Sequence, residues 1–305
     1  MTIAFKKKDK SRKPISQGKN KGVPYLMIVP SMIVFILFSF IPIFYMIYLS
    51  FHDWNFITPD MEYVGIDNFK HLMGDPRFIQ TLRNTFLYTV LTVAGFVVFG
   101  LLIALALQKS SRIHSFVQSV IFAPHIISLV SISMLWLWLM DYDYGLFNYL
   151  LSLVGIDPVR WLTDPKVVIH SLAAVSIWKG VGYYSLIFLS GLQAIPKDIY
   201  EAAALDNTPW YRKLFKITLP MLSPTIFFVG ITSIIASFKV FETINIMTGG
   251  GPMNSSNTLV YYIYTTGFSF FNMGLSSSAG VILFIIIAIM TYIYFKLMAD
   301  RVYYN

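Results

Sequence analysis

The sequence predicts an all-α, polytopic membrane protein with six transmembrane helices, and three observations carry that prediction. Of 305 residues, 56% are apolar and only 12% are charged, against about a quarter charged in soluble domains; mean hydropathy is +0.64. Six windows, 25–51, 84–107, 117–140, 167–191, 220–241 and 279–298, are predominantly apolar over the roughly 20 residues that a bilayer core asks of a helix. Lysine and arginine gather in alternate loops rather than on one face.

Residues 1–24 form a basic tail with eight of the 23 Lys and Arg residues. Lys6, Lys7, Lys8 and Lys10 precede an apolar run as in a signal peptide, but that run, 25–51, spans 27 residues and no small-residue cleavage site follows. It is expected to be a retained first span. A polar loop over 52–83 leads to a core over 84–298 with five spans and a polar interruption at 192–219; residues 299–305 close the chain. Pro30, Pro42 and Pro124 lie in or at the ends of spans, where kinks are expected. No internal repeat is evident.

Sixteen Lys and Arg residues fall in the tail, the 108–116 loop, the 192–219 loop and the C-terminus. Five, Lys70, Arg77, Arg83, Arg160 and Lys166, fall on the other side, with ten acidic residues; Lys179 and Lys239 lie inside spans. The positive-inside rule therefore places both termini and the 192–219 loop in the cytoplasm. The net charge of +8 is spread over these loops, which disfavours a nucleic-acid-binding face. Without cysteine there is no disulfide framework, thiolate metal site or thiol nucleophile.

The interruption contains EAAALDNTPWYRKLFKITLP at 201–220. Pro196 suits a first helical turn, and Ile199, Tyr200, Ala203 and Ala204 fall on one apolar face. Asn207 stands where a left-handed C-terminal cap is expected, and Thr208-Pro209 reads as a new N-cap and first helical position. A second helix places Trp210, Leu214 and Ile217 on one stripe, with Arg212, Lys213 and Lys216 pointing away. Two short helices joined by an elbow suit either an interfacial helix on anionic lipid or a small-residue surface for another protein.

E-A-A-A-L-D-N followed by F-K-I-T-L-P resembles the EAA loop of binding-protein-dependent ABC transporter permeases, matching at Glu201, Ala202, Ala203, Asp206, Ile217, Leu219 and Pro220. Asn207 replaces the usual glycine. The resemblance extends through F-H-D-W-N, Y-V-G-I-D-N-F, D-P-R-F, Y-G-L-F-N, W-L-T-D-P, G-L-Q-A-I-P and M-T-G-G-G-P to the first permease subunit of carbohydrate-uptake systems. It implies a type I ABC importer permease fold in the inner membrane, with a second permease subunit completing a heterodimer. It also implies two ATPase subunits that carry ATP and Mg, an extracytoplasmic solute-binding protein, and a sugar or related solute as substrate. The elbow would be a coupling helix docked through Glu201, Ala202 and Ala203, turned at Asp206 and Asn207, and oriented by Arg212 and Lys213.

The fourth window reads S-I-W-K-G-V-G-Y-Y-S. An intramembrane Lys179 is a functional-site hypothesis because its burial costs a few kcal/mol unless it is paired or wet; Gly180 and Gly182 could equally be close-packing positions. The family places its solute pathway in this part of the fourth core span and in the middle of the fifth. By position this implies Ser176, Trp178, Lys179, Gly180 and Tyr183, with Ser233 and Ser237 opposite. Lys239 and Glu242 have the spacing of an i,i+3 ion pair.

Gly249-Gly250-Gly251-Pro252 has neither a preceding strand nor a following Gly-Lys-Ser/Thr, so it is no phosphate loop; the resemblance makes it the external loop near the binding protein. Histidines 52, 71, 114, 125 and 170 lack ligand spacing, so no metal site is expected. Asp141 and Asp143 have no accompanying base. The expectation is a permease that performs no chemistry itself, the alternative being a self-sufficient secondary transporter or channel.

Overall fold

The computed structural model describes residues 23–109 and 111–299; most of the basic tail and the C-terminal residues from 300 lie outside them. Helix α1 (Val23–Phe35) passes through a π turn (Ile36–Phe40) into α2 (Ile41–Leu49), and Tyr25–Leu49 is long and apolar enough to cross a membrane. The turn has a covalent cause. Pro42 has no N–H, and its ring crowds the carbonyl four residues back; the helix widens ahead of it, so that the Ile41 amide bonds to the Ile36 carbonyl. The chain forms two compact units, one ending at Tyr45 and one from Met46 onward.

In the second unit a short antiparallel pair, β1 (His52–Asp53) with β2 (Glu62–Tyr63), precedes α3 (Asp67–Gly74) and α4 (Pro76–Ala106). The 52–83 segment is thus ordered structure, and α4 begins eight residues before the predicted window. Asp75 caps α4 by accepting from the Arg77 amide, with Pro76 in the first turn, the preferred chemistry of a helix start. The third window appears as α5 (Arg112–Ile126) and α6 (Leu129–Leu139), bent by 97°. Ile127 and Ser128 are extended, with ψ of 142° and 133°, and Pro124 lies in the last turn of α5. Helix α7 (Leu146–Leu153) leads to α8 (Val168–Gln193), an unbroken span.

The elbow helices α9 (Lys197–Leu205) and α10 (Trp210–Lys213) follow, then a π turn (Leu214–Thr218), α11 (Leu219–Met221) and α12 (Ser223–Phe238). The Leu219 amide bonds to the Leu214 carbonyl just ahead of Pro220, repeating the device before Pro42. The helical arm from Trp210 meets α12 at 64°, so the fifth window begins at a bend. Helices α13 (Glu242–Met247), α14 (Leu259–Tyr264) and α15 (Met273–Ala299) complete the described chain. Among the described residues, four helices are long and apolar enough to cross a membrane, or six if each bent pair is one span.

Three buried clusters hold the second unit together. One joins Tyr88 of α4, Ile132 of α6, Leu172 and Val175 of α8 and Ile244 of α13. Another joins Phe96 and Ala104 of α4, Phe188 and Leu192 of α8, and Leu222 and Val229. The third joins Leu72, Phe78, Leu259, Tyr262, Ala279 and Ile282. Lipid tails are as apolar as these side chains, so close packing and hydrogen bonds supply the specificity. Thr81, Thr85 and Ser185 turn their hydroxyls back to carbonyls three or four residues earlier. Tyr88 donates to Ser176 at 2.6 Å and Thr92 to Ser237 at 2.8 Å, tying α4 to α8 and α12.

Gly182 lets α5 lie directly against α8. A Cβ there would stand 2.2 Å from the Ile121 carbonyl oxygen and 2.9 Å from Phe122 Cα, both backbone atoms. At Gly100 a Cβ would meet the Phe188 ring at 3.4 Å, an ordinary contact. Gly182→Ala is expected to destabilise the purified protein by about 1–3 kcal/mol through overpacking, and Gly100→Ala by much less; thermal unfolding midpoints of the two variants provide the check.

Candidate functional site

Two polar regions interrupt the apolar bundle, one after α8 and one near its middle. In the first, α9 closes through a Schellman motif. Asn207 has φ +51°, its amide bonds to the Ala204 carbonyl, and the Thr208 amide bonds to the Ala203 carbonyl at 3.0 Å. These are the two bonds that satisfy the last carbonyls when the residue after the cap is left-handed, so Asn207 occupies the conformation its side chain predicts. Thr208 is not the next N-cap. Its amide is spent on α9, and Pro209, with ψ 151°, is the capping residue before Trp210.

The faces of the elbow follow the sequence in part. Ala203 is buried and Ile199 and Tyr200 are half-buried, while Ala204 is exposed with Glu201, Ala202, Asp206 and Asn207. Ala204 therefore leaves the predicted apolar face, which is narrower than four residues. Leu205 is 85% exposed and Trp210 75%, so apolar tips project beside Glu201 and Ala202. Leu214 and Ile217 are half-buried, Arg212 is exposed and Lys213 half-buried. The Tyr200 hydroxyl lies 3.1 Å from Thr218 Oγ1, which fastens α9 to the π turn and hence to the arm leading into α12.

The second region is a cavity of about 560 Å³ bounded by α4, α5, α8, α12 and the starts of α6 and α13, lined by Tyr88, Thr92, His125, Ser176, Lys179, Gly180, Tyr183, Ser237, Lys239 and Glu242 among others. Lys179 lies in the middle of α8, so the cavity sits at mid-span. Ser176, Lys179, Gly180, Tyr183 and Ser237 come together as the sequence placed them. Trp178 and Ser233 do not line it: Trp178 packs edge-on against Trp136 at 5.3 Å, and Ser233 is fully buried with its hydroxyl on the Gly230 carbonyl.

His125 and Tyr183 both line the cavity, their rings stacked on each other 4.6 Å apart at 9°. Lys179 Nζ donates to the His125 carbonyl at 3.0 Å. Lys239 and Glu242 do not form the predicted i,i+3 pair. Helix α12 ends at Phe238 and α13 starts at Glu242, so they share no helix face, and the one ion pair among the described residues is Lys70 with Asp67. Tyr88 and Thr92 of α4 and His125 of α5 also line the cavity; a tyrosine, a threonine and a histidine on apolar spans look like packing in the sequence.

The glycine run lies at the opposite end of the bundle from the elbow. Gly249 and Gly250 have φ +55° and +78°, and Met253 and Asn254 are also left-handed. Asn84 donates to the carbonyls of Asn254 and Asn257, and Asn254 to that of Arg77, lacing this loop to the start of α4. Gly251 and Pro252 line a second cavity of about 520 Å³ with Asp141, Asp143 and Trp161. Among the described residues no group of three His, Cys, Asp or Glu could hold a metal.

Comparison with known proteins places this geometry in a family. Residues 96–303 match the model of the binding-protein-dependent transport system inner membrane component. The sn-glycerol-3-phosphate transport system permease protein UgpA of Agrobacterium fabrum is 33% identical over 289 residues, covering 94% of this chain and 98% of the relative. The trehalose/maltose transport system permease protein MalF of Thermococcus litoralis is 30% identical, covering 89% and 92%. Among solved structures, a chain of a bacterial ABC transporter involved in the import of the acidic polysaccharide alginate superposes with a TM-score of 0.79 at 25% identity, covering 92% of this chain and 96% of that one.

The cap at Asn207 is testable in isolation. Asn207→Gly is expected to leave it intact, because glycine adopts the left-handed region freely. Asn207→Val should weaken it by about 1–2 kcal/mol, read as roughly 5–30-fold faster hydrogen exchange at the amides of residues 207 and 208.

Proposed function

We infer the function from one premise: the chain belongs to the family of inner membrane components of binding-protein-dependent transport systems, as a multi-pass permease subunit of an ABC importer. We propose that its solute is a sugar, a mono- or oligosaccharide or a related compound, delivered by an extracytoplasmic binding protein. The cavity carries this reading. Its volume of about 560 Å³ falls in the roughly 300–1,000 Å³ range of small-molecule sites. The aromatic rings of His125 and Tyr183 in its lining suit the C–H surface of a pyranose, and the hydroxyls of Ser176, Ser237, Thr92 and Tyr88 suit its hydroxyl groups. Relatives named for glycerol phosphate, trehalose and maltose, and a neighbour structure in complex with an alginate-loaded periplasmic protein, favour the same class.

The membership supports the remaining parts of the proposal. A second permease subunit completes the pore, two ATPase subunits bind ATP and Mg, and the elbow lies in the cytoplasm, consistent with the concentration of Lys and Arg on that side. Glu201, Ala202 and Ala203, with Asp206 and Asn207 setting the turn, are the docking surface for an ATPase groove; Arg212 and Lys213 orient the second helix. The Gly249–Pro252 loop faces the binding protein. Closure of the ATPases moves α9, and Tyr200 and Leu192 carry that movement into α8 and the arm of α12. ATP drives the change because the two states present different contacts to the ATPases.

Reconstituted vesicles test the whole reading. Uptake of a carbohydrate carried by the cognate binding protein should require ATP inside and the ATPase subunits; uptake by this chain alone along an ion gradient would establish a secondary transporter instead. Glu201→Lys should abolish co-purification of the ATPase while leaving the amount of chain in the membrane unchanged. Normal co-purification of the ATPase with that variant would remove the docking role.

A further inference from the structure

The third span is broken at Ile127 and Ser128, and a break within a bilayer needs a compensating structure. The last four carbonyls of α5 have no partner within the helix, and they carry the negative end of its dipole. Lys179 Nζ meets one of them, the His125 carbonyl, at 3.0 Å. Its neighbour Trp178 packs against Trp136 of α6, on the far side of the break, with ring centroids 5.3 Å apart. One turn later Tyr183 stacks on the His125 ring, and Gly182 between them admits the Ile121 backbone. Consecutive positions on one face of α8 thus touch both arms of the broken span.

We propose that residues 178–183 of α8 form a clamp that sets the angle between α5 and α6, with Lys179 as a positioning residue that holds the cavity wall through the His125 carbonyl. The inference deepens the transport reading and rests on it only for the meaning of the cavity. Two features make the ammonium suited to the task. It offers three donors to an open helix end, where a cation is favoured, and Glu242 lines the same cavity, so the positive charge has an anionic neighbour.

The absence of native cysteine makes the clamp measurable without any solute. Ile121, half-buried on the last turns of α5, is replaced by cysteine in the transporter isolated with its co-purifying subunits. Its rate of reaction with a membrane-impermeant maleimide is then followed in nanodiscs. Lys179→Met in that background is expected to raise the rate at least fivefold as α5 leaves α8, and Lys179→Arg, which keeps a charged donor, to stay within twofold of the parent. A Lys179→Met rate within twofold of the parent overturns the clamp. If Lys179→Met fails to insert, Lys179→Arg decides alone: a rate within twofold supports the clamp, and a fivefold rise overturns it. Labelling does not depend on transport, so failure of the carbohydrate reading would leave this result standing.

Discussion

Inside a bilayer no backbone carbonyl or amide can be left to water, and backbone groups freed at helix breaks find partners within this protein. Pro42 and Pro220 each remove an amide, and in both places the helix widens by one residue so that the preceding amide reaches back five. At the break between α5 and α6 the freed carbonyl of His125 is met by Lys179. At the end of α9 the left-handed Asn207 returns two amides to the last turn. The break between α5 and α6 accompanies the cavity lining at His125, and the left-handed Asn207 makes the elbow.

Helix α8 connects the two. Its middle carries Ser176, Lys179 and Tyr183 on the cavity. Its end buries Leu189 and Leu192 in the cluster that Tyr200 of the elbow packs against. Tyr200 of α9 also reaches Thr218 at the foot of the α12 arm, so α9 is tied to both α8 and that arm. In the proposed mechanism this continuity converts ATPase closure into a change of cavity access. Close-packed elements of this kind move as units between discrete arrangements rather than deforming continuously.

Much of this was legible in the sequence, and the illegible remainder has a common cause. Length and apolarity locate all six windows, and Asn207 announces its own backbone conformation because few other residues tolerate it. Ser176, Lys179, Gly180, Tyr183 and Ser237, which the family resemblance implies by position on the fourth and fifth spans, all line the cavity. The 97° bend was not foreseen: Pro124 signals a kink, but its angle is set by α8, far away in sequence. Without the bend, His125 has no reason to face Tyr183, Lys179 has no partner, and Trp178 and Ser233 cannot be separated from the residues that line the cavity. Lys239 and Glu242 fail as a pair for a related reason, because helix spacing holds only while the helix continues, and α12 ends at Phe238, ahead of both.

The central claim is that this cavity opens alternately to the two sides of the membrane under control of the elbow. Ala236 is exposed on the cavity wall and can be made the sole cysteine of a chain that has none. The assembled transporter in vesicles of one orientation is then treated with an impermeant maleimide from either face. The account predicts labelling from the cytoplasmic face in the resting state, shifting to the external face when the ATPases are held closed by ATP without hydrolysis. Labelling from the same face in both states would contradict it.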